Sequence, residues 1–445
     1  MGYIKLFSNT AAYQDYINGM PLLPNVSLVE EDDIVYYNPY VVDYSKEYMY
    51  VEALEDGLTV SFTKKASSGS LYYSLDKQEW NELSGSQTIN SGEKVYFKGD
   101  LVPAQYNGIG TFTISKQYNV AGNIMSLLFA DDFVSKTDLT GCDYAFYYLF
   151  KNCTTIQSAE NLILPATTLE ESCYCHMFSG CTSLITAPEL PSSTLANSCY
   201  DSMFYGCTSL TTAPELPATT LAYYCYGNMF DGCTSLTTAP ELPATTLAER
   251  CYQNMFWGCT GLTTVPELPA TTLTERCYSS MFSGCTSLTT APELPATSLT
   301  EYCYNTMFSG CTSLTTAPEL PATTLALYCY NKMFQNCTSL ISVSELPATI
   351  LATSCYKEMF YGCTSLTTAP ELPATTLVQE CYRSMFYGCT SLNEITMLAT
   401  DVSASYALNS WVYNVSPTGT FVKTEGVEIE TGVSGIPEGW TVQVA

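Results

Sequence analysis

A strict repeat of 26 residues constrains this chain more than any other feature. Cysteine recurs at that interval from Cys181 to Cys389, and a second cysteine column, from Cys173 to Cys381, precedes the first by eight residues. One unit, from Cys207 to Gly232, reads CTSLTTAPELPATTLAYYCYGNMFDG. A period of about 20–50 residues indicates a solenoid or array. A single unit cannot bury its apolar face alone, so stacked units must share one continuous core.

Each unit predicts one strand and one helix. The segment Leu210–Leu216 is short, rich in threonine and bounded by proline, which favours a very short parallel strand because Pro214 cannot donate to a ladder. The apolar residues that follow are spaced 0, 4, 5, 8, 9 and 12, as on one face of a helix: Leu221, Cys225, Tyr226, Met229, Phe230 and Cys233. The predicted fold class is therefore an α/β solenoid.

Composition changes along the chain predict five segments. Residues 48–124 alternate in polarity as strands do, which favours a small β-sandwich. The remaining boundaries follow from where the repeat begins and ends. The segments are a leader at 1–47, the β-sandwich at 48–124, an N-terminal cap at 125–144, about ten repeats at 145–415 and a C-terminal cap at 416–445.

The unit resembles the BspA-like leucine-rich repeat. The resemblance rests on Cys207-Thr208-Ser209-Leu210, on Leu216-Pro217, and on Phe230 before Gly232-Cys233. It covers roughly residues 145–415 and is specific. It implies a leucine-rich-repeat solenoid used for surface recognition or adhesion rather than for catalysis.

The charge excludes several classes of partner. The chain has 43 Asp and Glu against 16 Lys and Arg, a net charge of −27, which repels nucleic acid and anionic lipid. It contains no apolar run long enough for a transmembrane helix. A single histidine, His176, leaves almost no material for His-based catalysis, and we find no nucleotide-binding loop or nucleophile–base pair. We therefore expect a protein that is not an enzyme, needs no cofactor, and neither binds nucleic acid nor inserts into a membrane.

The 21 cysteines are interpreted as buried, reduced thiols that pack as small hydrophobes. Two cysteines eight residues apart on a helix are about 12 Å apart, too far for a disulfide. Zinc sites need dense Cys and His sets, and Cys173-Tyr174-Cys175-His176 is the only such cluster. We expect no metal site there.

A glutamate recurs in each unit and predicts an acidic ladder along the stack. Two interpretations are open: carboxylates that bridge a cation such as Ca²⁺, or a solvated face that keeps the solenoid soluble. The ladder consists of Glu189, Glu215, Glu241, Glu267, Glu293, Glu319, Glu345 and Glu371.

The units differ in a few slots around the Cys-Tyr pair and between Phe and Gly, and the helical pattern directs these slots outward. Exposed aromatic side chains give large contact area at low entropic cost and can stack on sugar rings or contact a protein. The alternative is that these positions vary only because substitutions on a solvent-exposed face are tolerated. The predicted binding residues are Tyr205, Tyr223, Tyr224, Trp257, Tyr302, Tyr328, Tyr361 and Tyr387.

Residues 1–47 resemble the N-terminal segment of repeat proteins from gut Bacteroidales and their tailed, crAss-like phages. The resemblance implies a virion surface protein, a tail or head fibre, made in the host cytoplasm; the N-terminus, which lacks an apolar signal-peptide region, agrees. Its expected partners are other virion proteins through the N-terminal region and a host cell-surface protein or glycan; a homo-oligomer is compatible with the sequence. The alternatives are a bacterial BspA-like cell-surface adhesin and a virion decoration or spacer without a ligand.

Overall fold

The structure is a computed structural model that describes residues 42–445 and, before them, three short strands. These strands form an antiparallel sheet in the order β1-β3-β2. They are β1 (Ile4–Lys5), β2 (Leu28–Glu31) and β3 (Ile34–Tyr37). Apart from these strands and residues 42–47, the predicted leader, with its attachment role, lies outside the described residues.

Two sheets occupy the region before the repeats. One has the order β10-β5-β8, and the other contains β4, β9, β6, β7 and β11. Their strands bury alternate side chains, as in Lys94–Gly99. The bounds are β4 (Tyr50–Ala53), β5 (Leu58–Lys64), β6 (Leu71–Ser74), β7 (Asn81–Glu82), β8 (Ser86–Ile89), β9 (Lys94–Gly99), β10 (Gly110–Ile114) and β11 (Tyr118–Asn123).

The strand-rich region is continuous with the solenoid. Strand β11 pairs in parallel with β12 (Ile156–Ser158) and β13 (Leu162–Ile163), which belong to the first coil of the stack. Phe112 of β10 stacks on Phe150 with ring centroids 5.4 Å apart. A short helix α1 (Ser126–Phe129) lies between the two parts, and 3-10 helices lie at Tyr44–Lys46 and Ala130–Ser135. Because sheet and core cross the predicted boundary at residue 124, the first coil has a template to stack on.

The predicted strand of each unit is reduced to isolated parallel bridges between neighbouring coils. One line of bridges joins the threonines that follow each Cys-x-x-Leu, as in Thr186 with Thr212 and Thr238 with Thr264. A second line lies at the Ala-Thr-Thr segment, as in Thr220 with Thr246. The prolines on both sides remove donors, so the ladder does not extend.

The arm that follows, residues 221–233 in the unit above, is a run of β-turns. Alternate N–H groups donate to the carbonyl three residues earlier, as Cys225 does to Ala222 at 3.3 Å. The N–H groups between them donate to the next coil, as Tyr226 does to Cys251 at 3.1 Å. In an α-helix, every N–H group after the first turn would instead donate to the carbonyl four residues earlier in the same segment. The prediction of one helix per repeat is wrong.

Backbone conformation and coil spacing both exclude the helix. Positive φ recurs every four residues, at Tyr224 (52°), Asn228 (49°) and Gly232 (73°), a conformation that turns use and α-helices do not. Equivalent rings in adjacent coils, such as Phe230 and Phe256, are 5.6 Å apart. Packed helices need about 8–10 Å between their axes, so helical arms do not fit on coils stacked this closely.

The core consists of ladders of identical side chains. Phe178 to Phe386 form one stack with adjacent rings 5.6–5.7 Å apart, and Tyr174 to Tyr382 form a second with adjacent rings 5.7–6.0 Å apart. In the thiol column from Cys181 to Cys389, each Sγ donates to a phenylalanine carbonyl of the preceding coil, as Cys285 does to Phe256 at 3.2 Å. All 21 cysteines are free thiols, and all but Cys142 are buried. The thiols thus pack as expected, although the helical distances used in the sequence argument do not apply.

The last coil is covered by the C-terminal segment. Strands β14 (Glu394–Met397), β15 (Thr420–Lys423) and β16 (Thr441–Val444) form a parallel sheet. Trp411 stacks on Tyr382, contacts Phe386, and donates from Nε1 to the Gly435 carbonyl at 2.8 Å. A single large ring therefore ends both aromatic ladders. No helix of the described chain is long and apolar enough to cross a membrane.

Candidate functional site

The variable slots lie on the surface of the turn arms, although no helix presents them. Of the eight predicted aromatic residues, Tyr205, Tyr223 and Trp257 are exposed, at 46%, 40% and 49%. The other five are partly buried. The eight therefore differ in how much ring face they offer to a partner.

Four of the partly buried tyrosines stack on each other. Tyr302 and Tyr328 stack with centroids 4.9 Å apart, and the Arg276 guanidinium lies 4.4 Å from the Tyr302 ring. Tyr361 and Tyr387 stack at 4.6 Å. Neighbouring side chains thus cover part of each ring, which limits the area left for a ligand.

A groove of about 460 Å³ runs along the arms of the first coils. We call it the recognition groove; the residues that define it are His176, Ser202, Tyr205, Asn228, Asp231 and Trp257. Tyr205, Asp231 and Trp257 occupy the same slot, between Phe and Gly, in three successive coils. Stacking at about 5.6 Å per coil therefore places a carboxylate between two exposed aromatic rings.

Asp231 and Lys151 are the two charged side chains that line the groove. Asp231 is the acidic one. The residue is 8% exposed, and within residues 42–445 its carboxylate makes no hydrogen bond or ion pair. Burial raises the pKa of this carboxyl group to about 6. An ionised carboxylate without a partner destabilises the folded chain. Such a cost is typical of a binding position, where a ligand supplies the missing donors.

Amide side chains are fixed beside this carboxylate by a polar network. Asn228 donates from Nδ2 to the Tyr224 hydroxyl at 2.6 Å and lies 3.3 Å from Asp201 Oδ1. Its own Oδ1 accepts from Asn254 Nδ2 at 2.9 Å. The predicted binding residue Tyr224 thus holds Asn228 in place and is itself half-buried.

The glutamates of the acidic ladder do not form a cluster of three in the described chain. All eight glutamates are exposed. Across the described residues, no three of them bring their oxygens within 4.8 Å of one another. The solvated-face interpretation accounts for this arrangement without a cation.

Sequence reasoning selected aromatic residues and missed the polar residues of the groove. Asp231 stands in the slot that Tyr205 and Trp257 fill in the adjacent units, so the slot comparison that found the rings could also have found it. Asn228 and Ser202 occupy the slot two residues after the Tyr of each unit, where a polar residue recurs.

These features define a solenoid of stacked 26-residue coils with a polar and aromatic groove on its turn arms. The family described as "BspA type Leucine rich repeat region" matches residues 143–289, 226–343 and 305–410 in 6 copies, which span more than half of the chain. The chain belongs to the BspA-type leucine-rich repeat family. A comparison with curated proteins finds no match.

Proposed function

We propose that this chain is a non-enzymatic surface-recognition protein that binds a glycan in the recognition groove. The observation that carries the proposal is the carboxylate of Asp231, which has no hydrogen-bond or ion-pair partner in the described chain and lies between the exposed rings of Tyr205 and Trp257. BspA-type repeats are commonly surface adhesion or recognition modules, which supports the same class of function.

The chemistry of the groove favours a sugar ligand. Aromatic faces stack on the apolar faces of pyranose rings, and a carboxylate and an amide accept and donate hydrogen bonds to their hydroxyl groups. The net charge of −27 disfavours polyanionic glycans. Tyr205 and Trp257 are two coils apart, a span that suits a short neutral oligosaccharide rather than a single ring.

For the setting, we propose a phage virion surface, with the chain as a tail or head fibre that attaches to its host. The support is the resemblance of residues 1–47 to leaders of virion-surface proteins. A bacterial cell-surface adhesin would use the same groove, whereas a spacer would need none. Mass spectrometry of purified virions from a suspected host distinguishes the first setting from the second.

Glycan-array and host-cell binding by the full chain test the groove. We expect Trp257→Ala, Tyr205→Ala and Asp231→Asn each to weaken binding more than about tenfold, the loss of a central contact. Tyr361→Ala is the matched control, since it removes an aromatic from the same slot of a distant coil, and it should bind as the unmutated chain does.

Two results would contradict the proposal. If the unmutated chain bound no glycan and no host cell, only the spacer interpretation would stand. If Tyr361→Ala weakened binding as much as Trp257→Ala, the ligand would contact the whole arm face rather than the groove.

A further inference from the structure

We propose that Cys175, His176 and Asp201 form a binding site for one zinc-class divalent metal ion. One ligand atom from each residue lies within 4.8 Å of the other two, and theirs is the only group of three or more such side chains with this geometry among the described residues. The proposal does not depend on the glycan-binding function of the recognition groove.

The three residues are exceptions in the repeat. Cys175 stands outside the two thiol columns, in a slot that holds no cysteine in the later units, and His176 is the only histidine of the chain. The slot of Cys175 holds Asp201 in the next unit and Gly227 in the one after. Since this slot varies freely along the array, core packing does not require a thiol, an imidazole and a carboxylate to meet there.

The distances suit tetrahedral coordination. Cys175 Sγ lies 3.5 Å from Asp201 Oδ2. Zinc–sulfur and zinc–oxygen bonds of about 2.3 and 2.0 Å at a tetrahedral angle place sulfur and oxygen about 3.5 Å apart. A metal ion therefore fits between these two atoms without movement of either coil.

Neighbouring side chains orient the Asp201 carboxylate, and His176 has a nitrogen free to bind a metal ion. Asp201 Oδ1 accepts from Ser202 Oγ at 2.8 Å and lies 3.3 Å from Asn228 Nδ2, so Oδ2 is left to face Cys175. Such outer contacts orient ligating carboxylates. His176 Nδ1 is buried and makes no hydrogen bond in the described chain. Coordination would satisfy a polar atom that is otherwise costly to bury.

The ligand set selects the class of metal. A thiolate, an imidazole and a carboxylate together suit Zn²⁺ and its spectroscopic substitute Co²⁺ rather than Ca²⁺ or Mg²⁺, which take oxygen ligands. Lys151 lines the same groove as His176, so its positive charge opposes a bound cation.

With three protein ligands, the fourth position would be taken by water, as in open zinc sites. The ligands come from two coils, Cys175 and His176 from one and Asp201 from the next. Bound metal would therefore fasten the first pair of coils together. His176 also lines the recognition groove, so the ion would lie at one end of it.

The test is metal binding by the full chain, reduced and freed of metal by a chelator. We expect one Zn²⁺ per chain after equilibrium dialysis and, with Co²⁺, a sulfur-to-cobalt absorption band. Cys175→Ser, His176→Gln and Asp201→Asn should each weaken binding more than about tenfold, and Cys175→Ser should abolish the band. Lys151→Gln should bind more tightly, since it removes the opposing charge.

Cys142→Ser and Asp401→Asn are the matched controls, because they remove a partly exposed thiol elsewhere and an exposed carboxylate of a distant coil. Both should keep one Zn²⁺ per chain. A Zn²⁺-dependent rise in melting temperature, present in the unmutated chain and absent in a folded Cys175→Ser variant, separates loss of the site from loss of the fold. Substoichiometric binding by the unmutated chain, or a full band in Cys175→Ser, would overturn the proposal.

Discussion

The two aromatic ladders predict opposite effects for one hydroxyl group. Tyr278 is 1% exposed, stacks between Tyr252 and Tyr304 at 5.7 and 5.9 Å, and its hydroxyl is buried with no hydrogen-bond partner in the described chain. Phe282, four residues later, is fully buried between Phe256 and Phe308 at 5.6 and 5.7 Å. Removing the first hydroxyl should stabilise the chain, and adding one to the second ring should destabilise it.

The magnitudes follow from the cost of a buried polar atom. A buried hydroxyl without a partner costs about 1–3 kcal/mol, so Tyr278→Phe should raise the free energy of unfolding by about 1–2 kcal/mol. Phe282→Tyr adds that cost and an extra atom in a packed stack, so it should lower the free energy by about 2–4 kcal/mol. Tyr205→Phe, on the surface, should change it by less than about 0.5 kcal/mol.

Denaturant unfolding of the full chain, followed by circular dichroism, measures all three variants. The two core variants share a coil, so a difference in sign between them cannot arise from a difference in local cooperativity. If Tyr278→Phe instead destabilised the chain by about 1 kcal/mol or more, the hydroxyl would be hydrogen-bonded in solution. The conclusion that the Tyr278 hydroxyl is buried without a partner would then be refuted.

Further predictions concern the groove and the two ends of the stack. Burial raises the pKa of Asp231 from 3.8 to about 6, so the unmutated chain should lose stability as the pH rises from about 4 to about 6. Compared with the unmutated chain, Asp231→Asn should be more stable by about 2 kcal/mol near pH 7 and equally stable near pH 4. Denaturant unfolding at a series of pH values measures both effects. Trp411→Ala should cost about 3–5 kcal/mol, since the ring is fully buried and ends both ladders; equal stability would place the cap elsewhere. Phe112→Ala, which removes the ring stacked on Phe150, should split calorimetric unfolding into two transitions, and a single transition would contradict a coupling through that ring.

The stacked architecture could be predicted from the sequence because it depends on identity between units. Cys207, Phe230 and their equivalents recur at one interval. Buried residues need to recur so regularly only where successive units share one core. The bridges at Thr212 and Thr238 are as short as Pro214 predicted.

The form of the arm could not be predicted from its apolar spacing. Over eight residues, turns that repeat every four residues and a helix that repeats every 3.6 place nearly the same side chains inward. The distinguishing signal is the small or polar residue that recurs at the positive-φ positions, such as Asn228 and Gly232. A prediction from apolar spacing alone does not consider the residues at these positive-φ positions.

Only some of the groove residues could be predicted from the sequence. Comparison of slots selected Tyr205 and Trp257, and it would have selected Asp231 if charge had been compared as well as aromaticity. Asp201 occupies the slot of Cys175 one unit later, so stacking in register could have predicted that the two residues are neighbours, and the structure adds the 3.5 Å separation of Sγ and Oδ2.

The count of reactive thiols tests most directly whether the coils stack as described. Burial raises the pKa of ladder thiols such as Cys207 and Cys311 to about 12, so at about pH 8 their thiolate fraction falls by about three orders of magnitude relative to an ordinary cysteine. With a disulfide reagent and no reductant, the folded chain should show rapid reaction at Cys142 only, and the chain in concentrated guanidinium should show all 21 thiols. Several fast thiols in the folded chain, or fewer than 21 in the unfolded one, would contradict the stacked, reduced core.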